Sequence, residues 1–331
     1  MSIFFYAFRE EDELPNAEIC SKEHNMPFGY TTEYPSPENY HLAEGYDAIS
    51  CTPCDMSAPV VVEFHRLGVK YITTRSIGID HIDIAKAHEL GMHVSNVTYP
   101  PSGVASYAVM LILMCSRSMG DNLARSKVQD FTLKGKEGTD IASMTIGVIG
   151  TGKIAQTVVK NLSGFGCRTV FFGHHRNDNM EKYAEYVSLE ELYRLSDAIT
   201  IHTNATDENY HMLDKDAFAQ MKDGVIIVNT ARGKLIDTMA LIEALEEGKV
   251  GSAALDVLEN ENGLYYYSRL GDVIQNREMA ILRSFPNVIL SPHTAFYTRQ
   301  NIYSMVQGCF EAVDAWNKGL PTQREVFPDV H

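Results

Sequence analysis

The stretch Thr145-Ile146-Gly147-Val148-Ile149-Gly150-Thr151-Gly152-Lys153-Ile154-Ala155 decides the fold. Its opening run is apolar and largely β-branched, the pattern of a strand buried on both faces of a parallel sheet. The glycines then break the strand, and an amphipathic helical pattern follows to about Leu162. Gly150 permits a sharp turn, Gly152 lets the backbone approach a pyrophosphate, and Ala155 lets helix and strand pack closely. This is the G-x-G-x-x-G/A order of a dinucleotide-binding turn. The helix that begins at Lys153 and Ile154 offers unpaired N–H groups and the positive end of its dipole to phosphates.

Downstream, strands and helices alternate. Strands are predicted at Thr169 to Phe172, Ala198 to Ile201, Val225 to Val228, Ser252 to Leu255 and Val288 to Leu290. That is a doubly wound domain with its ligands at the strand C-terminal ends. Upstream, Ser2 to Phe8 reads as a strand followed by an acidic turn with Arg9 at its edge. Asp47 to Ser50 and Val69 to Thr73 read as further strands, with a helix from Ala58 to Arg66 between them. A helix from Asp83 to Leu90 is expected to end at Gly91 in the left-handed conformation. The first hundred residues therefore form a small α/β domain with a parallel sheet.

Tyr99-Pro100-Pro101-Ser102 punctuates the chain, with Ser102 as N-cap of a long helix from Gly103 to Met119. That helix is apolar on nearly every face, so it is expected to be buried in the protein or at a subunit interface. A last helix, about Arg299 to Lys318, returns the chain to the first domain. The fold class expected is α/β, two doubly wound parallel-sheet domains. A Rossmann-type cofactor domain (residues 100–296) is inserted into a discontinuous flavodoxin-like substrate domain (residues 1–99 and 297–331), with a cleft between them.

Bulk properties narrow the class. A chain of 331 residues suits about two domains. No apolar run reaches the roughly 18 residues of a membrane span, and Met1 to Tyr6 lacks the basic start of a signal peptide. A net charge of −15 argues against a nucleic-acid partner. Six cysteines are too few and too scattered for a disulfide scaffold. Cys51-Thr52-Pro53-Cys54 has C-x-x-C spacing, but no second pair or His cluster completes a zinc site, and free thiols are expected. The expectations are a cytoplasmic protein, no metal and no membrane partner.

Each late strand of the second domain runs into a group with chemistry. Val228 leads to Asn229-Thr230-Ala231-Arg232-Gly233, where a guanidinium could clamp a carboxylate in a fork. Leu255 leads to Asp256-Val257-Leu258-Glu259-Asn260-Glu261, and Leu290 leads to Ser291-Pro292-His293-Thr294-Ala295. Arginine, carboxylate and imidazole at the mouth of one sheet are what reduction of a 2-oxo acid requires. Hydride comes from a nicotinamide while the imidazolium protonates the carbonyl oxygen. A carboxylate paired to an imidazole favours its charged form.

At these residues the chain resembles the D-isomer-specific 2-hydroxyacid dehydrogenases, closest to D-lactate dehydrogenases, including the vancomycin-resistance type. The resemblance runs from Phe5-Tyr6-Ala7-Phe8-Arg9-Glu10 through Thr74-Arg75-Ser76-Ile77-Gly78-Ile79-Asp80 to Ser291-Pro292-His293-Thr294-Ala295-Phe296-Tyr297-Thr298. It implies His293 as general acid/base with Glu261, rather than Glu259, as its partner. Arg232 would bind carboxylate and polarise the carbonyl, and Asp256 would act close by on the nicotinamide and on His293. The N–H groups of Ile77 and Gly78 would hold the other side of the carboxylate, with Tyr99, Arg9 and Phe296 also at the substrate. Further cofactor contacts implied are His202, Thr203, Thr230 and Ala231. The activity implied is reduction of a 2-oxo acid to the (R)-2-hydroxy acid, pyruvate to D-lactate first and phenylpyruvate or 2-oxoisocaproate as the larger alternative.

Two departures matter. An NAD enzyme carries Asp or Glu about 20 residues past the glycine turn for the ribose hydroxyls. Here the strand runs into Gly173-His174-His175-Arg176, so nothing repels a 2′-phosphate, and Arg176 with either His could bind one. NADP(H) is therefore expected to be preferred, NAD(H) being the alternative if Asp178 serves the ribose. Thr203-Asn204 replaces the family's usual Val-Pro, making the adenine pocket more polar. The run Tyr265-Tyr266-Tyr267 either packs the domain edge or lines an acyl pocket. A homodimer is expected, built on the apolar helix from Gly103. A dinucleotide-sensing protein of the corepressor kind is the competing class, disfavoured by the lack of tails or added modules. Formate dehydrogenase fails because that family places Gln at the Glu261 position.

Overall fold

The computed structural model describes residues 1–261, 263–266, 268–322 and 324–328. Contacts divide the chain into two units, Met1–Pro100 with Tyr297–His331, and Pro101–Phe296.

The first unit has five strands: β1 (Ile3–Phe5), β2 (Phe28–Tyr30), β3 (Ala48–Cys51), β4 (Tyr71–Thr74) and β5 (His93–Ser95). They pair in parallel in the order β2-β1-β3-β4-β5. The period-2 alternation of the N-terminal run sends its rings to both faces. Phe4 and Tyr6 meet Phe64 of helix Ala58–Arg66 and its cluster, whereas Phe5 and Phe8 lie on the side of Phe310 in helix Arg299–Asn317. The predicted strand from Ser2 to Phe8 is shorter, because Ala7 turns into the left-handed region at φ 49°. The acidic stretch Glu10 to Glu13 is a turn as expected, whereas helix Leu14–His24 after it, β2 and β5 escape the sequence reading. Gly91 ends its helix at φ 72° as expected.

The second unit has seven parallel strands: β6 (Thr145–Ile149), β7 (Arg168–Phe172), β8 (Glu185–Tyr186), β9 (Ala198–Ile201), β10 (Val225–Asn229), β11 (Val250–Leu255) and β12 (Val288–Leu290). Their order is β12-β11-β10-β9-β6-β7-β8, which reverses direction at β6. Both faces are covered by apolar clusters. Leu192, Phe218, Leu241 and Leu245 cover one, and Leu111, Ile112, Val158 and Leu162 the other. Ser102 is inside the long helix rather than its N-cap, which is Pro101. That helix, Ser102–Ser116, stops where Ser118 turns left-handed, and a second helix, Met119–Lys127, leaves at 66°. No single helix among the described residues is long and apolar enough to cross a membrane.

Candidate active site

The glycine turn sits at the switch point between β6 and β9, where open α/β sheets bind ligands. Gly150 has φ 114°, and a Cβ there would lie 2.3 Å from the His202 carbonyl oxygen, so no other residue fits. Helix Lys153–Leu162 starts directly after Gly152, where a Cβ would meet nothing within 4 Å. The first helical amides, of Lys153 and Ile154, donate to no backbone carbonyl among the described residues. Ala155 is fully buried against the sheet. At the end of β10 the Thr230 hydroxyl is buried without a hydrogen-bond partner among the described residues, an unsatisfied polar atom that a bound polar group would satisfy. An open helix start, a glycine cradle and this hydroxyl fit a dinucleotide.

At the end of β7, Gly173 is buried against Thr151, whose methyl would be 2.6 Å from an added Cβ. His174, His175 and Arg176 are exposed; the Arg176 guanidinium lies 5.1 Å from the centre of the Tyr186 ring and 3.9 Å from Glu181. No carboxylate stands directly after β7; Asp178 begins the short helix Asp178–Glu181. His202 and Thr203 follow β9, both half-buried. His202 Nε2 lies 2.9 Å from the Thr200 hydroxyl, and burial pushes its pKa down to about 3, so the ring is neutral.

Three adjacent strands deliver the other groups. Asn229, fully buried at the end of β10, folds its own loop: its amide donates to the Arg232 carbonyl at 2.8 Å and its oxygen accepts from Ala231 N–H at 2.9 Å. Arg232 Nη1 donates to the Ala231 carbonyl at 2.8 Å. At Gly233 a Cβ would sit 2.0 Å from the Leu258 carbonyl carbon, so the Arg232 loop touches the loop after β11 backbone to backbone. From that second loop Glu261 reaches in two directions. Oε2 accepts from Leu258 N–H at 2.8 Å, and Oε1 lies 2.6 Å from His293 Nδ1. Glu259 turns elsewhere, to His211 at 2.8 Å and Thr238 at 3.3 Å.

His293, after β12, is held at φ 52°, a left-handed conformation disfavoured for a residue with a Cβ. Its N–H donates to the Asp256 carbonyl at 2.8 Å, and Asp256 itself is completely buried with its carboxylate turned to the His293 loop. Tyr107, from the long apolar helix, meets Thr294 at 3.2 Å. Of these supports, Asp256 is among the residues the family resemblance implies, and Asn229 carries a local signal because Asx residues close loops on their own backbone. Tyr107 carries no such signal.

The tyrosine run divides. Tyr265 is buried in the domain core. Tyr266 is half exposed, donates its hydroxyl to the His293 carbonyl at 3.0 Å and sits 6.2 Å from the His293 ring. Tyr267 lies outside the described residues. Phe296 stands edge-on to both rings, 6.2 Å from His293 and 6.4 Å from Tyr266.

In the first unit, the Ile77 and Gly78 carbonyls are taken by Asn96 Nδ2 at 2.9 Å and Ser76 Oγ at 2.6 Å. Their N–H groups donate to nothing among the described residues. Arg9 is ion-paired to Asp12 at 3.1 Å and Glu13 at 3.0 Å, with Tyr297 beneath its guanidinium at 5.7 Å. Tyr99 is half-buried near the end of the unit's first segment.

A doubly wound sheet carrying a glycine turn at its switch point, and a Glu–His pair three and four strands along, has the layout of a dinucleotide-dependent dehydrogenase. Residues 109–295 match the "D-isomer specific 2-hydroxyacid dehydrogenase, NAD binding domain". An aromatic 2-oxoacid reductase of Clostridium sporogenes is 38% identical over 310 residues, 93% of each chain. A D-lactate dehydrogenase of Lactiplantibacillus plantarum is 36% identical over 310 residues, 92% of this chain and 93% of that one. The structure of a D-2-hydroxyisocaproate dehydrogenase superposes with a TM-score of 0.87 at 32% identity, covering 98% of this chain and 99% of that one. The chain belongs to the D-isomer specific 2-hydroxyacid dehydrogenase family. It is an oxidoreductase that converts a 2-oxo acid to the D-hydroxy acid and has an NAD-binding domain of the Rossmann type.

Proposed function

We propose that His293 is the proton donor of this reaction, and the single observation that carries it is the 2.6 Å contact of its Nδ1 with Glu261. That contact fixes the ring through one nitrogen and leaves Nε2, which has no partner among the described residues, to face a substrate oxygen. A bound nicotinamide supplies the hydride. Nε2–H gives its proton to the carbonyl oxygen, Glu261 stabilises the charged ring, and Arg232 forks the carboxylate. The unengaged N–H groups of Ile77 and Gly78 are assigned to the same carboxylate. Asp256, walled in, is a positioning residue for the loop that carries His293. Arg9 and Tyr99 are assigned to the rim of the substrate site, with Arg9 kept in place by Asp12 and Glu13.

Pyruvate to D-lactate is the simplest form of the reaction. Tyr266 and Phe296, the two rings flanking His293, favour a second reading in which an aromatic or branched 2-oxo acid is preferred. For the cofactor, the absence of a carboxylate directly after β7 and the exposed Arg176, His174 and His175 support NADP(H) over NAD(H). Steady-state rates with NADPH and NADH against pyruvate, phenylpyruvate and 2-oxoisocaproate test both points. Turnover led by NADPH with phenylpyruvate supports them; NADH with pyruvate would reverse them.

The partner assigned is a second copy of this chain. Val128, Phe131 and Leu133 are 76%, 74% and 88% exposed just after helix Met119–Lys127, whose Leu123 is also exposed. An apolar cluster of this kind marks a contact surface. Light scattering should report a dimer, and Phe131→Ser with Leu133→Ser should give a monomer. All six cysteines are free thiols, which supports a reducing, cytoplasmic setting.

A further inference from the structure

Two carboxylates stand on the loop after β11, and they go to different imidazoles: Glu261 to His293, and Glu259 to His211. The loop from Val257 to Glu261 contains no strand or helix of its own. Where Glu261 stands is therefore decided by what holds the loop.

His211 lies between β9 and helix Lys215–Gln220 at φ 53°, a left-handed conformation disfavoured for a residue with a Cβ. Its Nε2 is 2.8 Å from Glu259 Oε1 and donates, because a carboxylate only accepts. Tyr210 stacks on the ring, with centres 3.9 Å apart and planes 17° from parallel, and its hydroxyl reaches the same oxygen at 3.5 Å. On the far side of the ring, Nδ1 is 3.7 Å from Asp237 Oδ2. Glu259 Oε2 accepts the hydroxyl of Thr238, the first residue of helix Thr238–Glu246, at 3.3 Å. The His211 and Glu259 side chains are only 26% and 19% exposed, so water competes for this contact less than at a surface pair.

The main chain of the same segment grips the loop after β10. His211 N–H donates to the Lys234 carbonyl at 2.9 Å and Leu213 N–H to the Leu235 carbonyl at 3.1 Å, while Asp237 N–H returns to the Leu213 carbonyl at 3.0 Å. Gly233, beside Arg232, presses on Leu258 and Glu259 with no room for a Cβ. The loops after β9, β10 and β11 thus form one block, and His211 touches both of those that carry Arg232 and Glu261.

We propose that His211 is a positioning residue for proton transfer: by holding Glu259 it fixes the loop from which Glu261 meets His293. The proposal rests on the assignment of Glu261 and His293 made above. Glu261 Oε2 is anchored on the N–H of Leu258, the residue directly before Glu259. A shift of Glu259 passes to that anchor through one peptide bond and lengthens the 2.6 Å contact with His293, and reaction rates fall steeply with such displacements. Glu259, occupied by His211 and Thr238, is also kept from competing for His293. No proton of His211 enters the reaction.

The test compares variants of the full-length protein by kcat at saturating substrate and cofactor. His211→Leu keeps bulk and removes the donor, and His211→Gln keeps an N–H donor. Both bear the same left-handed backbone, so their difference isolates the hydrogen bond to Glu259. His211→Leu should lower kcat by about tenfold with cofactor affinity, read by fluorescence titration, unchanged. His211→Gln should recover most of that loss. In a Glu261→Gln background, His211→Leu should cost nothing further, because the two act in series. Glu259→Ala opens the same contact from the other side and should give the same loss and the same non-additivity, which carries the test if His211→Leu fails to fold. Parent-like kcat in His211→Leu, equal losses in the Leu and Gln variants, or a loss repeated in full on Glu261→Gln would each overturn the proposal. Full kcat in Glu261→Gln alone would overturn the assignment beneath it, an outcome distinguishable because that protein keeps His211 intact.

Discussion

Asp256 Oδ2 accepts the backbone N–H of Ala295 at 2.8 Å, and its Oδ1 accepts both the Thr294 N–H at 2.9 Å and the Ser291 hydroxyl at 2.6 Å. One buried carboxylate thus ties the end of β11 to the whole turn that carries His293. Asparagine has one acceptor oxygen, so Asp256→Asn leaves at least one of these donors facing an NH₂ group. Losing hydrogen bonds to a charged group costs about 1.5–3 kcal/mol each. The variant is expected to unfold at lower denaturant and to lose kcat by at least about tenfold, with cofactor affinity retained. Unchanged kcat beside lowered stability would make Asp256 a purely structural residue.

The Glu261–His293 pair makes a sharper demand. General acid–base catalysis contributes about 10²–10⁴ in rate, so His293→Ala should lower kcat by that range. Glu261→Gln keeps a polar contact but removes the charge opposite the imidazole, and a smaller loss in the same direction is expected. Cofactor titration by fluorescence should be unaltered in both. A Glu261→Gln enzyme with full kcat would show that the 2.6 Å contact orients the ring and does nothing for its charge.

Cofactor choice turns on the end of β7. Gly173→Asp places a carboxylate where a 2′-phosphate would approach, and the Thr151 methyl, 2.6 Å from the new Cβ, must rotate away. The ratio of kcat/KM for NADPH over NADH is expected to fall by at least about tenfold, a difference of about 1.4 kcal/mol. Combining it with Thr151→Ser removes that methyl, the closest of the Thr151 atoms to the new Cβ, and should preserve or enlarge the shift. An unchanged ratio in both variants would disprove this account of the ribose site.

His202 gives the protein an acid-sensitive element. Its folded pKa of about 3 lies below the ordinary imidazole value of 6.5 because burial disfavours the charged ring. Between those two values the unfolded chain binds a proton that the folded chain does not, so stability is lost as pH falls through the window. Each pH unit of that window is worth about 1.4 kcal/mol, or about 2 kcal/mol between pH 6.5 and 5. Urea denaturation should show His202→Asn losing less stability than the parent over that interval. Parallel curves would mean that His202 titrates normally.

The fold was legible where patterns were long and local. The run from Thr145 to Ala155 and the strands around it could be read because each parallel strand is buried on both faces and punctuated by glycine. The strands β2, β5 and β8 were missed because two or three residues carry no periodicity, and neighbours across the sheet supply their pairing. The Glu261–His293 pair was named from motif order, and the contact itself spans 32 residues that no spacing argument can close. Asp256 illustrates the limit: the sequence displays a carboxylate near a reactive loop, and only the fold reveals that its oxygens are already occupied.

Arg75 stood in the resemblance as a motif letter, and the fold gives it a physical task. Its guanidinium is completely buried and every arm is engaged: Nε to Glu13 at 2.8 Å, Nη1 to Ser50 at 3.0 Å, Nη2 to the Tyr6 and Ala7 carbonyls at 2.8 and 2.9 Å. Phe5 and Phe8 lie 5.4 and 5.8 Å from it, so the charge also rests against aromatic rings. Glu13 is equally buried, and removing it strands a cation away from water. Breaking such a pair costs about 3–5 kcal/mol, whereas replacing both members with apolar groups is far less damaging. Glu13→Leu should therefore destabilise strongly, and the double variant Glu13→Leu with Arg75→Met should be more stable than Glu13→Leu alone. Urea denaturation of the four proteins in that cycle decides it. A double variant whose loss equals the sum of the two single losses would show that the ion pair is not the source of the stability, leaving the bonds from Arg75 to the Tyr6 and Ala7 carbonyls as what holds the end of β1 in place.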